Sequence, residues 1–262
     1  MKLTLHLFLF ILLTVLTQIG GVVYLLSIII SNKWHKKFRF KKIVVFVAFY
    51  SLFTFIIVPF VAPFFGRETI KHSNIISPTN FMTVLLNRNY VKPELNNLLS
   101  FTEQNLKGTN IEIHYLDANF PFINKFPLLP HLSHNDGKKI DISLIYETKD
   151  GKLSNKQKSN SGYGVFEGPK INETNQIKVC KDKGYFQYDF PKYLTLGEIN
   201  TDLVFSKKGT KKLILSILKH KSLGKIFIEP HLKNRLHLKS NRVRYHGCGA
   251  VRHDDHIHIQ LK

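Results

Sequence analysis

The chain has 262 residues, 44% of them hydrophobic, and a formal charge of +20 at neutral pH. That length gives room for one domain of ordinary size plus one further segment, and excludes an array of several domains. A charge so far from zero favours an anionic neighbour, either a nucleic acid or a membrane, and the placement of the charges along the chain separates the two.

Residues 3–30 are almost wholly apolar, with His6 and Gln18 the only strongly polar side chains, and residues 43–65 form a second apolar stretch without charge. Each run exceeds the ~20 residues that carry a helix across a bilayer, so the pair predicts a transmembrane hairpin over residues 1–66. Pro59 and Pro63 fall in the last part of the second span, where a kink is tolerated if the freed backbone groups find partners. A cleaved signal peptide competes for the first span. Only Lys2 precedes that run, however, the run is too long, and no small-residue cleavage site stands out.

Between the spans, residues 31–42 hold six Lys or Arg residues together with Trp34. Short basic loops stay cytoplasmic, which puts this loop inside and both ends of the hairpin outside. A nucleic-acid patch is the weaker reading of the same residues, because two flanking spans account for both the charges and the interfacial tryptophan. No nucleic-acid partner is expected.

Residues 67–80 read as a polar linker, and residues 81–262 as an extracytoplasmic domain. Without Lys2 and the six loop charges, 31 basic residues remain against 18 acidic ones, so this part is itself basic and suited to headgroups or a wall polymer. A generally basic solvated surface explains the same excess.

Pro93 suits a first helical turn, Leu95, Leu98, Leu99 and Leu106 recur near helical spacing, and Gly108 can end the helix. Residues 110–116 alternate as a strand, 119–130 form a proline-rich loop, and 139–146 read as a strand with Asp141 at its start. Residues 149–170 look like an exposed excursion, either a lid or a mobile insertion. Thr210 is the expected cap of a helix over 211–218, with Gly224 past its end. A strand over 225–229 and a short helical piece over 231–238 follow.

The fold class expected from this pattern is α+β, a small mainly antiparallel sheet with flanking helices that carries the candidate site, preceded by the membrane hairpin. Outside the cytoplasm, Cys180 and Cys248 are candidates for one disulfide, which would staple the middle of the chain beside the last strand. Two free buried thiols, or Cys248 as a zinc ligand, are the other readings.

Two short stretches carry the chemistry. In residues 256–261 strand alternation places His256, His258 and Gln260 on one face and Ile257, Ile259 and Leu261 on the other. His134 and Asp141 lie about 23 Å apart along a fully extended chain at ~3.3 Å per residue, so they meet only if the chain turns back between them. Asn135-Asp136-Gly137 provides residues that tolerate such a turn. Imidazole nitrogens and one carboxylate then converge as a set suited to catalytic zinc, with a position left for water.

His134-x6-Asp141 followed by His256-x-His258 resembles the metal signature of the LAS peptidases. The flanking His131-x-Ser-His134 and His253-Asp-Asp-His256-x-His258 resemble the branch of penicillin-insensitive murein endopeptidases. The resemblance implies that His134, Asp141 and His258 ligate Zn2+, that His256 is the catalytic histidine, and that His253 and His131 are its active-site neighbours. It also implies the substrate: peptide cross-links of peptidoglycan, at bonds involving D-alanine, cut by a zinc-activated water. The enzyme would be tethered by two helices in the lipid bilayer of a bacterial inner membrane, with its domain in the periplasm. The alternatives are a D-alanyl-D-alanine carboxypeptidase and a hedgehog-like zinc domain that binds without catalysis.

Other catalytic constellations lack their parts. There is no Gly-rich phosphate loop, no Gly-x-Ser-x-Gly elbow and no His-Glu-x-x-His. His114, His220, His231, His237 and His246 have no spacing that singles them out.

Overall fold

The computed structural model describes residues 2–34 and 38–262. It is an α+β structure that divides into two compact units. One contains residues 1–70, 82–93 and 118–137, and the other residues 71–81, 94–117 and 138–262.

In the first unit the expected pair of long spans is not what forms. The apolar run 3–30 breaks into two helices, α1 (Lys2–Thr17) and α2 (Gly20–Lys33). The break falls at Gln18, whose backbone is left-handed with φ 67°. Thr14 and Thr17 turn their hydroxyls onto the carbonyls of Phe10 and Leu13. Directly after the turn come Gly20 and Gly21, where a Cβ would sit 2.6 Å from Thr17 Oγ1 and 2.0 Å from Thr14 Oγ1 respectively. Only glycine lets α2 fold back this closely on α1, and apolarity alone did not show the reversal.

Helix α3 (Lys41–Leu52) runs on through a π-helical turn (Phe53–Ile57) and two short turns to Phe65, and Gly66 ends it with φ 70°. The whole segment Lys41–Phe65 is the one helix among the described residues long and apolar enough to cross a membrane. The basic loop expected over residues 31–42 lies partly, at residues 35–37, outside the described residues.

Ile19 and Val23 pack against Val58, Ala62 and Tyr90. Glu68–Thr69 then pairs antiparallel with Tyr90–Val91. Arg67, only 1% exposed, donates through its guanidinium to the Phe120 carbonyl, to Asn124 Oδ1 and to the Asn135 carbonyl. The loop 118–137 is therefore held from inside by one buried cation.

The second unit is built on a mixed six-stranded sheet. Its strand order is Val243–Arg244, Leu223–Phe227, His256–Leu261, Lys139–Ser143, Ile113–Tyr115, Ile76–Pro78. The central pairings are antiparallel and the two outer ones parallel. Ile140, Ile142, Ile226, Ile257 and Ile259 share one side of the sheet and are fully buried, as are Leu213, Ile214 and Ile217 of helix Lys207–Leu218 and Leu95, Leu98, Leu99 and Leu106 of helix Pro93–Leu106. A three-stranded antiparallel sheet joins Leu153–Ser154, Tyr146–Glu147 and Val204–Phe205.

Several boundaries differ from expectation. Helix Lys207–Leu218 is capped by Ser206, which accepts from the Gly209 N–H, while Thr210 sits inside the helix and meets the Ile145 backbone. Gly224 is not a helix end but a strand residue, where a Cβ would lie 2.7 Å from the Leu261 carbonyl oxygen. Cys180 and Cys248, by contrast, form the disulfide for which the sequence made them candidates.

Candidate metal centre

His258 and Asp141 are directly opposed in the register of the two central strands. Both side chains are buried, and His258 Nδ1 lies 2.8 Å from Asp141 Oδ1. The expected strand alternation therefore holds at this position, with isoleucines on the packing face and polar groups on the other. The backbone of Asp141 is fixed as well, since its N–H donates to Asp117 and its carbonyl accepts from Leu116.

The second oxygen of Asp141 accepts from the phenol of Tyr163 at 2.9 Å. Burial, reinforced by the carboxylates of Asp141 and Asp117, pushes this phenol well above its ordinary pKa, so Tyr163 remains a donor. Sequence reasoning missed Tyr163 because it lies in the stretch read as an excursion, where Gly162 and Gly164 bend the chain with φ 84° each.

His256 Nε2 lies 3.7 Å from Asp141 Oδ2, and its Nδ1 donates to Asp255 Oδ1 at 2.5 Å. The other oxygen of Asp255 accepts the Gly164 N–H at 2.7 Å. Burial alone would lower the imidazole pKa, but the carboxylates of Asp141 and Asp255 overcome it and push His256 up to about 9. Asp255 just precedes the strand, so side-chain alternation gave no reason to place it beside His256.

His253 stands with its ring centre 4.9 Å from that of His256 and 5.6 Å from that of His258. Burial first, and then these imidazoles, push it well below the ordinary histidine range. It is accordingly neutral near pH 7 and can orient a polar group, but carries no charge with which to hold a carboxylate. Its backbone is clamped by Glu229, whose N–H donates to the His253 carbonyl and whose Oε1 accepts the His253 N–H at 3.1 Å.

His246, which no sequence pattern singled out, stacks on His253 at 5.5 Å and packs edge-on to Phe227 at 4.4 Å. Below this group Arg252 forms a two-bond pair with Asp254 and a third bond to Asp189, while its guanidinium lies over Phe166.

His134 belongs to the loop 118–137. Its Nδ1 lies 2.7 Å from the Ala118 carbonyl. A carbonyl only accepts, so Nδ1 carries the proton and Nε2 is left as the ligating nitrogen. The turn after it matches expectation: Gly137 has φ 78°, and its N–H donates to Asn119 Oδ1. His131 is buried with its ring centre 5.7 Å from that of His134.

Ligand atoms of His134, Asp141 and His258, all three residues buried, lie within 4.8 Å of one another, so this group can hold a metal ion. Two imidazoles and one carboxylate fit a small divalent cation, and the fixed Nδ1 protonation of His134 orients its donor as metal-bound histidines require. No family model and no curated protein matches the chain.

Proposed function

We propose that the chain is a membrane-anchored zinc peptidase that hydrolyses peptide cross-links of bacterial peptidoglycan, at bonds involving D-alanine. The observation that carries this reading is the buried group of His134, Asp141 and His258 with His256 beside it. Zinc bound there would supply Lewis acidity, which lowers the pKa of a water and polarises a carbonyl.

The side chains around the group account for the remaining work. Tyr163 and the paired strand hold Asp141 in one orientation. Asp255 holds His256 by Nδ1, so Nε2 is the atom at which His256 moves a proton to the departing amine or steadies the oxyanion. His253, neutral and packed on His256, orients the attacking water or the substrate amide. The apolar helices anchor the enzyme in the inner membrane, and the basic remainder of the chain favours an anionic wall polymer.

The test incubates the full chain in detergent with cross-linked muropeptide dimers, resolves products by mass and measures bound metal. Conversion to monomers, abolished by chelator and restored by zinc, is the expected result. Stoichiometric zinc without cleavage would leave a binding domain, and iron in place of zinc would overturn the metal assignment, because two histidines and one carboxylate also suit ferrous iron.

A further inference from the structure

All three apolar helices present large side chains to their surroundings: Phe8 and Ile11 on α1, Val22 and Ile29 on α2, and Val47 and Ile56 on the long helix are each between 51% and 62% exposed. Several polar groups on the same helices are hydrogen-bonded within the unit. His6 Nδ1 meets Tyr24 Oη at 2.7 Å, Thr14 and Thr17 bond back to their own helix, and Gln18 Oε1 at the turn accepts the Phe122 N–H at 2.8 Å. Apolar outside and hydrogen-bonded inside is the arrangement a hydrocarbon solvent demands.

The contacts also fix direction. Gly20 lies against Leu13 and Thr17, Gly21 against Phe10 and Thr14, and Tyr24 against His6, so α2 runs back along α1. Tyr24 then meets Phe46, while Ile19 and Val23 reach Val58 and Ala62, so the long helix returns toward the Gln18 turn. The start of α1, the end of α2 and the start of α3 therefore share one end, and the described cations before Gly66, namely Lys2, Lys33, Arg39, Lys41 and Lys42, belong to it. Trp34, 43% exposed, lies at that end too.

We infer that this segment crosses a lipid bilayer three times, with Lys2 and the basic loop on the cytoplasmic side and the Gln18 turn and Gly66 on the other. This rests on the membrane-anchored reading above and replaces the two crossings expected from unbroken apolar runs, reversing the side assigned to the start of the first span. At ~1.5 Å per residue α1 and α2 reach about 24 and 21 Å, short of a ~30 Å hydrocarbon core. Local thinning and lysines reaching to the headgroups absorb that difference.

The test places single cysteines in the full chain, whose native pair is bonded, and applies a membrane-impermeant maleimide to spheroplasts of a bacterial host. Asp150→Cys is expected to react in sealed spheroplasts, and Lys2→Cys and Arg39→Cys to react at least tenfold more after lysis. Reaction of Lys2→Cys in sealed spheroplasts with Arg39→Cys still protected would overturn the third crossing alone. Reaction of all three would overturn the membrane-anchored reading beneath it. Loss of the first helix from the purified chain, read by intact mass, would also overturn three crossings.

Discussion

At the scale of single residues, the candidate centre depends on partners that hold each donor in one orientation. Asp141 is the shared member, facing His258 with one oxygen and Tyr163 with the other. Asp141→Ala is expected to abolish both metal binding and hydrolysis. His256→Ala is expected to keep the metal and lose roughly 10²–10⁴-fold in rate, the usual worth of a proton-transfer group. Metal content and turnover measured on the same preparations check both, and metal loss from His256→Ala would mean that the roles of the two histidines are exchanged.

Glu229 supplies the pH dependence. Burial first, and the nearby Asp254 second, push its carboxyl from an ordinary value of 4.5 up to about 7, against the opposing pull of the Tyr188 hydroxyl. The folded chain keeps this proton where the unfolded chain has lost it. The contribution to stability is therefore whole below pH 4.5 and is lost as pH rises from there through about 7. Glu229→Gln, which cannot ionise, should flatten the fall in Tm over that window; an unchanged slope would show that Glu229 does not titrate there.

At the scale of elements, helix packing depends on two adjacent small residues. A side chain at Gly21 would meet Thr14 Oγ1 at 2.0 Å and the Phe10 carbonyl oxygen at 2.6 Å, and the second of these is backbone that cannot swing aside. Gly21→Val is expected to separate α1 from α2 and lower Tm in detergent by several degrees, whereas Val22→Leu, at an exposed position, should be near neutral. Equal melting of the two variants would show that close approach at Gly21 does not hold the hairpin.

Elements were legible where one local rule acts alone. Pro93 opens its helix at Pro93–Leu106, Gly108 follows with φ 75°, and the His256–Leu261 strand alternates as read. They were misread where a tertiary neighbour decides. Thr210 looks like a cap but spends its hydroxyl on Ile145, and Gly224 looks like a helix stop but is required by the backbone of Leu261.

For the whole molecule, the unit that holds His134 is assembled from three separate stretches, residues 1–70, 82–93 and 118–137. Within it Gln18 accepts from Phe122, Phe65 packs on Phe122 at 5.0 Å, and Arg67 binds Phe120, Asn124 and Asn135. The apolar helices and Arg67 are thus part of what shapes the loop carrying His134, beyond any role as a tether. A fragment starting at His72 is expected to bind metal at least tenfold more weakly than the full chain in detergent, measured by zinc titration. Equal affinity would show that residues 2–70 do not shape the site.

The sequence by itself determined the α+β class, the apolar character of the first segment, and His134, Asp141 and His258 as a group able to hold a metal ion, because spacing, charge and residue type act locally and survive without knowledge of neighbours. Only the tertiary structure decided that the first apolar run folds back at Gln18, that Cys180 and Cys248 pair, and that Tyr163, Asp255, Glu229 and His246 surround the candidate ligands. Those facts depend on which distant stretches pack together, and close approach at a glycine or burial beside a carboxylate has no signature in the order of residues along the chain.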